Sequence, residues 1–186
     1  MQIVRKIMMF LALAGGLICP TASVFASNFH LILGADYVNS NIKYNSGHDD
    51  IIKPKDDYNG ISPVIGLSAY GIGLEAYILN SKDVKEGSLQ SKLRAYGFDI
   101  VGEASLSDNF ALIASLGMTK YEFHNKIDGI KTDNSNNGPR FGIGLQYYIS
   151  HNLAIRAMYH YTLLNSGEND IYDAVSEFSA GLRLIF

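Results

Sequence analysis

The chain of 186 residues holds one cysteine, Cys19, and no tryptophan. Cys19 sits in a stretch built like an export signal. Arg5 and Lys6 lead into an apolar run from Ile7 to Ile18, and small residues follow up to Val24-Phe25-Ala26. Cleavage after Ala26 is expected, making residues 1–26 a signal peptide and 27–186 the mature chain. Ile18 stands where a lipid-attachment box requires a small residue, so Cys19 is not expected to carry lipid. A mature chain without cysteine excludes a disulfide scaffold and a thiol enzyme. Long apolar runs are missing too. The leader's run falls short of the ~20 residues of a helical span, and nothing after residue 26 approaches that length. Excess positive charge is also absent. The formal net charge is −3, and losing Arg5 and Lys6 takes it to −5. A nucleic-acid partner would need a basic face, so none is expected. No His, Cys, Asp and Glu spacing suits a metal centre. His48 beside Asp49 and Asp50 reads as a solvated loop, and no cofactor is expected.

What the sequence does have is alternation. A strand turns successive side chains to opposite faces. In the last ten residues Phe178, Ala180, Leu182, Leu184 and Phe186 share one face. Glu177, Ser179, Gly181 and Arg183 share the other, and only Ile185 breaks the rule. Seven earlier segments repeat the pattern. Residues 30–39 set Leu31, Leu33, Ala35 and Tyr37 opposite Gly34 and Asp36. Residues 61–69 set Ile61, Ile65 and Leu67 opposite Ser62, Gly66 and Ser68. Residues 72–80 set Leu74, Ala76 and Ile78 opposite Gly73, Glu75 and Tyr77. Residues 93–104 set Tyr96, Phe98 and Ile100 opposite Gly97, Asp99 and Glu103. Residues 110–121 set Leu112, Ala114, Leu116 and Met118 opposite Ser115, Gly117 and Thr119, with Ile113 on the polar side. Residues 140–149 set Phe141, Ile143, Leu145 and Tyr147 opposite Arg140, Gly142, Gly144 and Gln146. Residues 153–162 set Leu153, Ile155, Ala157, Tyr159 and Tyr161 opposite Arg156 and His160.

The connectors alternate in length. Tyr70-Gly71, 107–109 and 150–152 are tight turns, whereas 40–60, 81–92, 123–139 and 163–174 are long and polar. Short turns on one side and long loops on the other, with an even strand count, fit a transmembrane barrel with both termini on the periplasmic side. A soluble eight-stranded barrel of the lipocalin kind is the main competitor. It would need an exterior of glycines and charges around a lining of Leu, Ile and Tyr. The expected fold is therefore all-β: an eight-stranded antiparallel up-and-down transmembrane β-barrel with short periplasmic turns and four longer external loops. Tyr and Phe near strand ends would form the interfacial girdles without tryptophan. They are Tyr37, Tyr70, Tyr96, Phe110, Tyr121, Phe141, Tyr147, Tyr161, Phe178 and Phe186.

The stretch Asn137-Gly-Pro-Arg-Phe-Gly-Ile-Gly-Leu-Gln-Tyr-Tyr-Ile-Ser-His-Asn-Leu-Ala-Ile-Arg-Ala-Met-Tyr-His-Tyr161 resembles the sixth-strand, turn and seventh-strand hairpin of the OmpA-like transmembrane domain. Ser62-Pro-Val-Ile-Gly-Leu-Ser68 and Gly73-Leu-Glu-Ala-Tyr77 are similar to its second and third strands. Gly-aromatic alternation of this kind also marks small outer-membrane barrels of the OmpX–Ail type. The resemblance spans the mature chain, but no peptidoglycan-binding domain follows the barrel, so cell-wall tethering is not expected. It implies the outer membrane of a Gram-negative bacterium. It also implies a structural or adhesive role, in host attachment or serum resistance, carried by external loops. A terminal Phe on an alternating strand resembles the sorting signature read by the barrel-assembly machinery, here Phe178, Leu182, Leu184 and Phe186.

Inward-facing Asp36, Glu75, Asp99, Glu103, Arg140, Arg156, Glu177 and Arg183 are expected to form a charge network. Arginine suits this because its planar fork meets carboxylates bidentately. Glu75 and Arg156 match positions that take part in such a network in OmpA-like barrels. Eight strands leave a bore that side chains just fill, so a salt-bridged plug is favoured over a narrow ion channel gated by Arg156. An enzymatic role is not expected. A lipid A deacylase family carries His-x-Ser-Asn and a later Glu. This chain offers only His160-Tyr-Thr162, then Asn165 and Glu177. Binding would fall to the loops. The first carries His48-Asp-Asp50 and Lys53-Pro-Lys-Asp-Asp57 before Tyr58, and the third carries Asp133-Asn-Ser-Asn-Asn-Gly138. The expected partners are outer-membrane lipids and lipopolysaccharide, the assembly machinery, and a host-cell or matrix ligand, with the barrel itself a monomer.

Overall fold

The structure, a computed structural model, describes residues 29–44, 57–82, 84–86, 89–127, 130–165 and 172–186. The expected leader and the tip of the first loop, with His48, lie outside them. Among the described residues the strands are β1 Phe29–Tyr44, β2 Asp57–Ala69, β3 Ile72–Ser81, β4 Val84–Glu86, β5 Leu89–Ser105, β6 Phe110–Ile127, β7 Ile130–Ser150, β8 Leu153–Leu163 and β9 Tyr172–Ile185.

Each strand except β3 and β4 pairs antiparallel with its sequence neighbours; β3 skips β4 to pair with β5, and β1 pairs with β9. Eight strands thus close into a ring, and three-residue β4 pairs with β5 beyond it. Closure matters because lipid offers no partner to an open sheet edge. The seam between the terminal strands is in register through Leu33↔Leu184 and Tyr37↔Ala180.

Alternation decides which face points where. Leu67, Phe98, Leu116, Ile143 and Leu182 stand exposed on the outside, while Glu75, Asp99, Arg140, Arg156, Glu177 and Arg183 are buried inside. This is the reverse of a lipocalin and places the apolar belt against acyl chains. Ile113 lies wholly inside, and Ile185 faces the lumen mouth. Phe29, Tyr70, Phe110, Tyr147 and Phe186 ring the tight-turn end. There the Phe110 and Tyr147 rings pack 4.8 Å apart. Tyr37, Tyr96, Tyr161 and Phe178 ring the loop end. Tyr121 belongs to neither girdle. It is fully buried in the lumen, because its position on β6 shares the inward phase of Gly117 and Thr119.

The β2–β3 turn takes left-handed backbone at both central residues, Tyr70 (φ 54°) and Gly71 (φ 78°). That geometry matches the twist of a two-residue hairpin.

The strands run further toward the loops than the sequence suggests. The third connector, expected to be loop over 123–139, is a continuous ladder from Phe123↔Asn134 to Ile127↔Ile130. The apolar signal stops at the lipid boundary, but backbone pairing continues through Asn, Ser and Thr.

Candidate functional site in the barrel lumen

The lumen is stacked in three levels. The middle level is charged. Arg183 on β9 grips Asp36 on β1 with both terminal nitrogens, at 2.6 and 2.9 Å. It also lies 3.8 Å from Glu75 on β3. Arg156 on β8 donates to Glu75 at 2.7 Å and to Gln146 at 2.7 Å. β3 and β8 sit opposite each other in the ring, so the Arg156–Glu75 pair braces the full bore.

Just above, Arg140 on β7 donates to Asp99 on β5 and to Glu177 on β9, each at 2.8 Å. Ser40 donates to the other Glu177 oxygen at 3.1 Å. The Arg140 guanidinium also lies 4.3 Å from the Tyr77 ring centroid, and the Tyr77 hydroxyl bonds Thr119. Glycine makes room for these side chains. A Cβ at Gly117 would run into the Asp99 carboxylate, and one at Gly181 into Asp36. Seven of the eight charges expected inside thus fall into two ion-paired groups. Glu103 does not join them. It accepts a 2.5 Å bond from Tyr148 nearer the periplasmic mouth.

The level toward the loops is apolar, and it was not foreseen. Val38, Ile42, Tyr58, Leu79, Leu93, Ala95, Tyr121, Phe123, Leu164 and Val175 form one buried cluster inside the ring. Tyr121 and Phe123 stack with centroids 6.4 Å apart. The polar ends are met in place: Tyr58 pairs with Ser91 at 2.6 Å and Tyr121 with Thr162 at 3.1 Å. Outside the same stretch stand Asn41, Lys43, Lys92, Arg94 and His124, all exposed. Above the membrane the barrel's surroundings change from lipid to water, so alternation inverts and apolar residues go inside, as in a soluble protein. The signal was present in the inward phase of Leu93, Tyr121 and Phe123.

Toward the periplasm the lumen opens into a cavity of about 410 Å³ walled by His30, Ser68, Glu103, Tyr148 and His151 and floored by Arg156 and Arg183.

The residues nearest to a deacylase set do not assemble as one. His160 is buried in the lumen, 3.9 Å from Asp99, and Glu177 is tied to Arg140. Thr162 is bonded to Tyr121, while Asn165 sits exposed at the loop end. Among the described residues no His, Cys, Asp and Glu cluster could hold a metal ion.

No curated protein matches the chain by sequence. Solved structures do match its fold. Ail, the attachment invasion locus protein of Yersinia pestis, is 17% identical with a TM-score of 0.62, over 86% of this chain and 99% of that one. A second Ail structure, in complex with the heparin analogue sucrose octasulfate, gives a TM-score of 0.63 at 17% identity, over 86% and 99% of the two chains. Neisserial surface protein A gives 0.63 at 17% identity, over 86% and 98%. The N-terminal β-barrel domain of Pseudomonas aeruginosa OprF gives 0.58 at 14% identity, over 83% and 97%. A model of the outer membrane protein β-barrel domain matches residues 9–186. The chain belongs to the outer membrane protein β-barrel family and resides in the outer membrane of a Gram-negative cell.

Proposed function

We propose that the protein is a non-conducting, non-enzymatic surface barrel whose external loops attach the cell to a host surface or matrix, and that the barrel adds structure to the outer membrane. The observation that carries this reading is the double closure of the lumen. An ion-paired belt braces the bore and an apolar cluster fills it above. Among the described residues both fill the bore, which supports a closed lumen, and His160 is buried inside it. What can meet a partner is then the rim and its loops. The fold shared with Ail, whose name records attachment and invasion, supports the adhesive part. Outward-facing Phe178, Leu182, Leu184 and Phe186 remain available for recognition by the assembly machinery.

The test uses a non-adherent Gram-negative strain displaying the chain. Display is expected to raise binding to host cells or matrix, and replacing residues 45–56 by a short turn is expected to remove the gain. The variant should keep its heat-dependent gel shift, because all eight ring strands lie outside that segment. Display without a gain in binding would defeat the adhesive reading. Discrete conductance steps from refolded protein in a planar bilayer would defeat the closed lumen.

A further inference from the structure

The charges inside the lumen do not balance. The two ion-paired groups bring together four carboxylates, on Asp36, Glu75, Asp99 and Glu177, and three guanidiniums, on Arg140, Arg156 and Arg183. None of these side chains is more than 12% exposed. One negative charge is left over where solvent cannot screen it, and a buried charge without a counter-charge is costly. Two further titratable side chains line the same space, Tyr77 and His160. Tyr77 bonds Thr119 and carries no positive charge in either state. His160 stands beside Asp99.

Unmet hydrogen-bonding atoms gather at the same place. Among the described residues Asp99 Oδ1, Ser115 Oγ, Arg140 Nε, His160 Nδ1 and Arg183 Nε have no hydrogen-bond partner, and all five residues line one small cavity of about 30 Å³. That volume admits a water or two. His160 Nε2 stands 3.9 Å from Asp99 Oδ2, too far for a direct bond and suited to a bridging water. Glycine keeps the space open. A Cβ at Gly142 would meet Ser115 Oγ and the His160 ring, and one at Gly117 the Asp99 carboxylate. A metal ion does not suit the cavity. No His, Cys, Asp and Glu cluster among the described residues could hold one, and two of the unmet atoms are guanidinium N–H donors.

We propose that Asp99 and His160 form a proton-binding site that takes up one proton when the barrel folds and so closes the lumen at zero net charge. The proton belongs to the pair, passed through the bridging water, rather than to either residue. Around the pair β1 presents Asp36, β3 Glu75 and Tyr77, β7 Arg140, β8 Arg156, and β9 Glu177 and Arg183, while β2 and β6 add only Ser62 and Ser115 at this level. The proton comes from the periplasm. The inner cavity shares Glu75, Val101, Arg156 and Arg183 with the cavity at the periplasmic mouth, and the cluster around Tyr121 and Phe123 seals the loop end. Above the ordinary histidine range the folded chain holds a proton that the unfolded chain lacks, so this contribution to stability falls as pH rises.

Urea unfolding in lipid vesicles compares wild type with Asp99→Asn, which removes the surplus charge and keeps an oxygen for Arg140. Between about pH 7 and 8.5 the folding constant of wild type, relative to that of the variant, is expected to fall about tenfold per pH unit. His124→Gln, at an exposed histidine, should keep the wild-type slope. A heat-dependent gel shift confirms that each variant is folded. Infrared spectra of wild type alone should show, at neutral pH, a protonated carboxyl or an imidazolium band that alkali removes. Parallel slopes for wild type and Asp99→Asn would overturn the site, and so would a spectrum with neither band. Stability that changes when sodium is exchanged for a bulky organic cation at fixed ionic strength would also overturn it, by assigning the charge to an alkali ion. The inference rests on the closed lumen proposed above and not on the loops. Conductance steps would defeat both readings, whereas a silent bilayer with parallel slopes would defeat the proton alone.

Discussion

Arg140→Met is expected to destabilise the folded barrel by about 3–5 kcal/mol, the cost of stripping the partner from a buried charge. Arg140 serves two carboxylates at once, and its loss leaves both Asp99 and Glu177 in a space with almost no solvent. The size of the loss reports that desolvation, not the net worth of the pairs. Restoring neutrality should therefore recover most of it: Arg140→Met with Asp99→Asn and Glu177→Gln is expected to lie closer to wild type than the single variant. Arg140→Lys should rescue poorly, because one ammonium cannot present a fork to two acids. Arg156→Met should cost less, since Glu75 keeps Arg183 at 3.8 Å. Urea unfolding in lipid vesicles, followed by circular dichroism and the gel shift, measures all four. An Arg140→Met loss below about 1 kcal/mol, the range of exposed pairs, would mean that the lumen is wet.

Phe123→Ala is expected to cost about 3–5 kcal/mol, as for truncation of an aromatic in a well-packed core. Phe123 is 1% exposed yet lies in what the sequence presents as a polar external connector. If that segment were a solvated loop, the change would be nearly neutral. Tyr121→Phe separates packing from bonding at the same level. It keeps the ring and removes only the bond to Thr162, so its cost should be about 1 kcal/mol. The same unfolding assay reads both. A Phe123→Ala loss no larger than that of Tyr121→Phe would contradict an apolar core at the outer mouth.

These two residues also mark where the sequence stops being legible. Inside the membrane a single rule holds, with apolar residues toward lipid and charges inward, and that rule located all eight ring strands. It even placed the exceptions Ile113 and Ile185 inward. At the loop end the same chain continues with Lys120, Glu122 and His124 outside and Tyr121 and Phe123 inside. An apolar residue there means interior, whereas two turns of the pleat lower it means lipid. The residue type of Tyr121 reads as a girdle aromatic; only its inward phase, shared with Gly117 and Thr119, marks the change of solvent. Polar runs such as Asn134 to Asn137 resemble loop by composition although they sit in the β6–β7 ladder. The charges were legible as a set because their phase is fixed. Their pairing was legible only where the resemblance singled out Glu75 and Arg156; that Arg140 joins Asp99 and Glu177, 41 and 37 residues away in sequence, was not.

The central claim is that the Leu, Ile and Phe face of the ring meets lipid. Because the expected mature chain has no cysteine, single cysteines can be placed and spin-labelled at Ile65, Leu116, Ile143 and Leu182, spaced around the outside, and at Asn109 and His151 in the tight turns. In bilayers the four wall sites should collide with dissolved oxygen more than with a water-soluble nickel complex, and the two turn sites should show the opposite preference. Wall sites that favour the nickel complex would turn the barrel inside out and contradict the account.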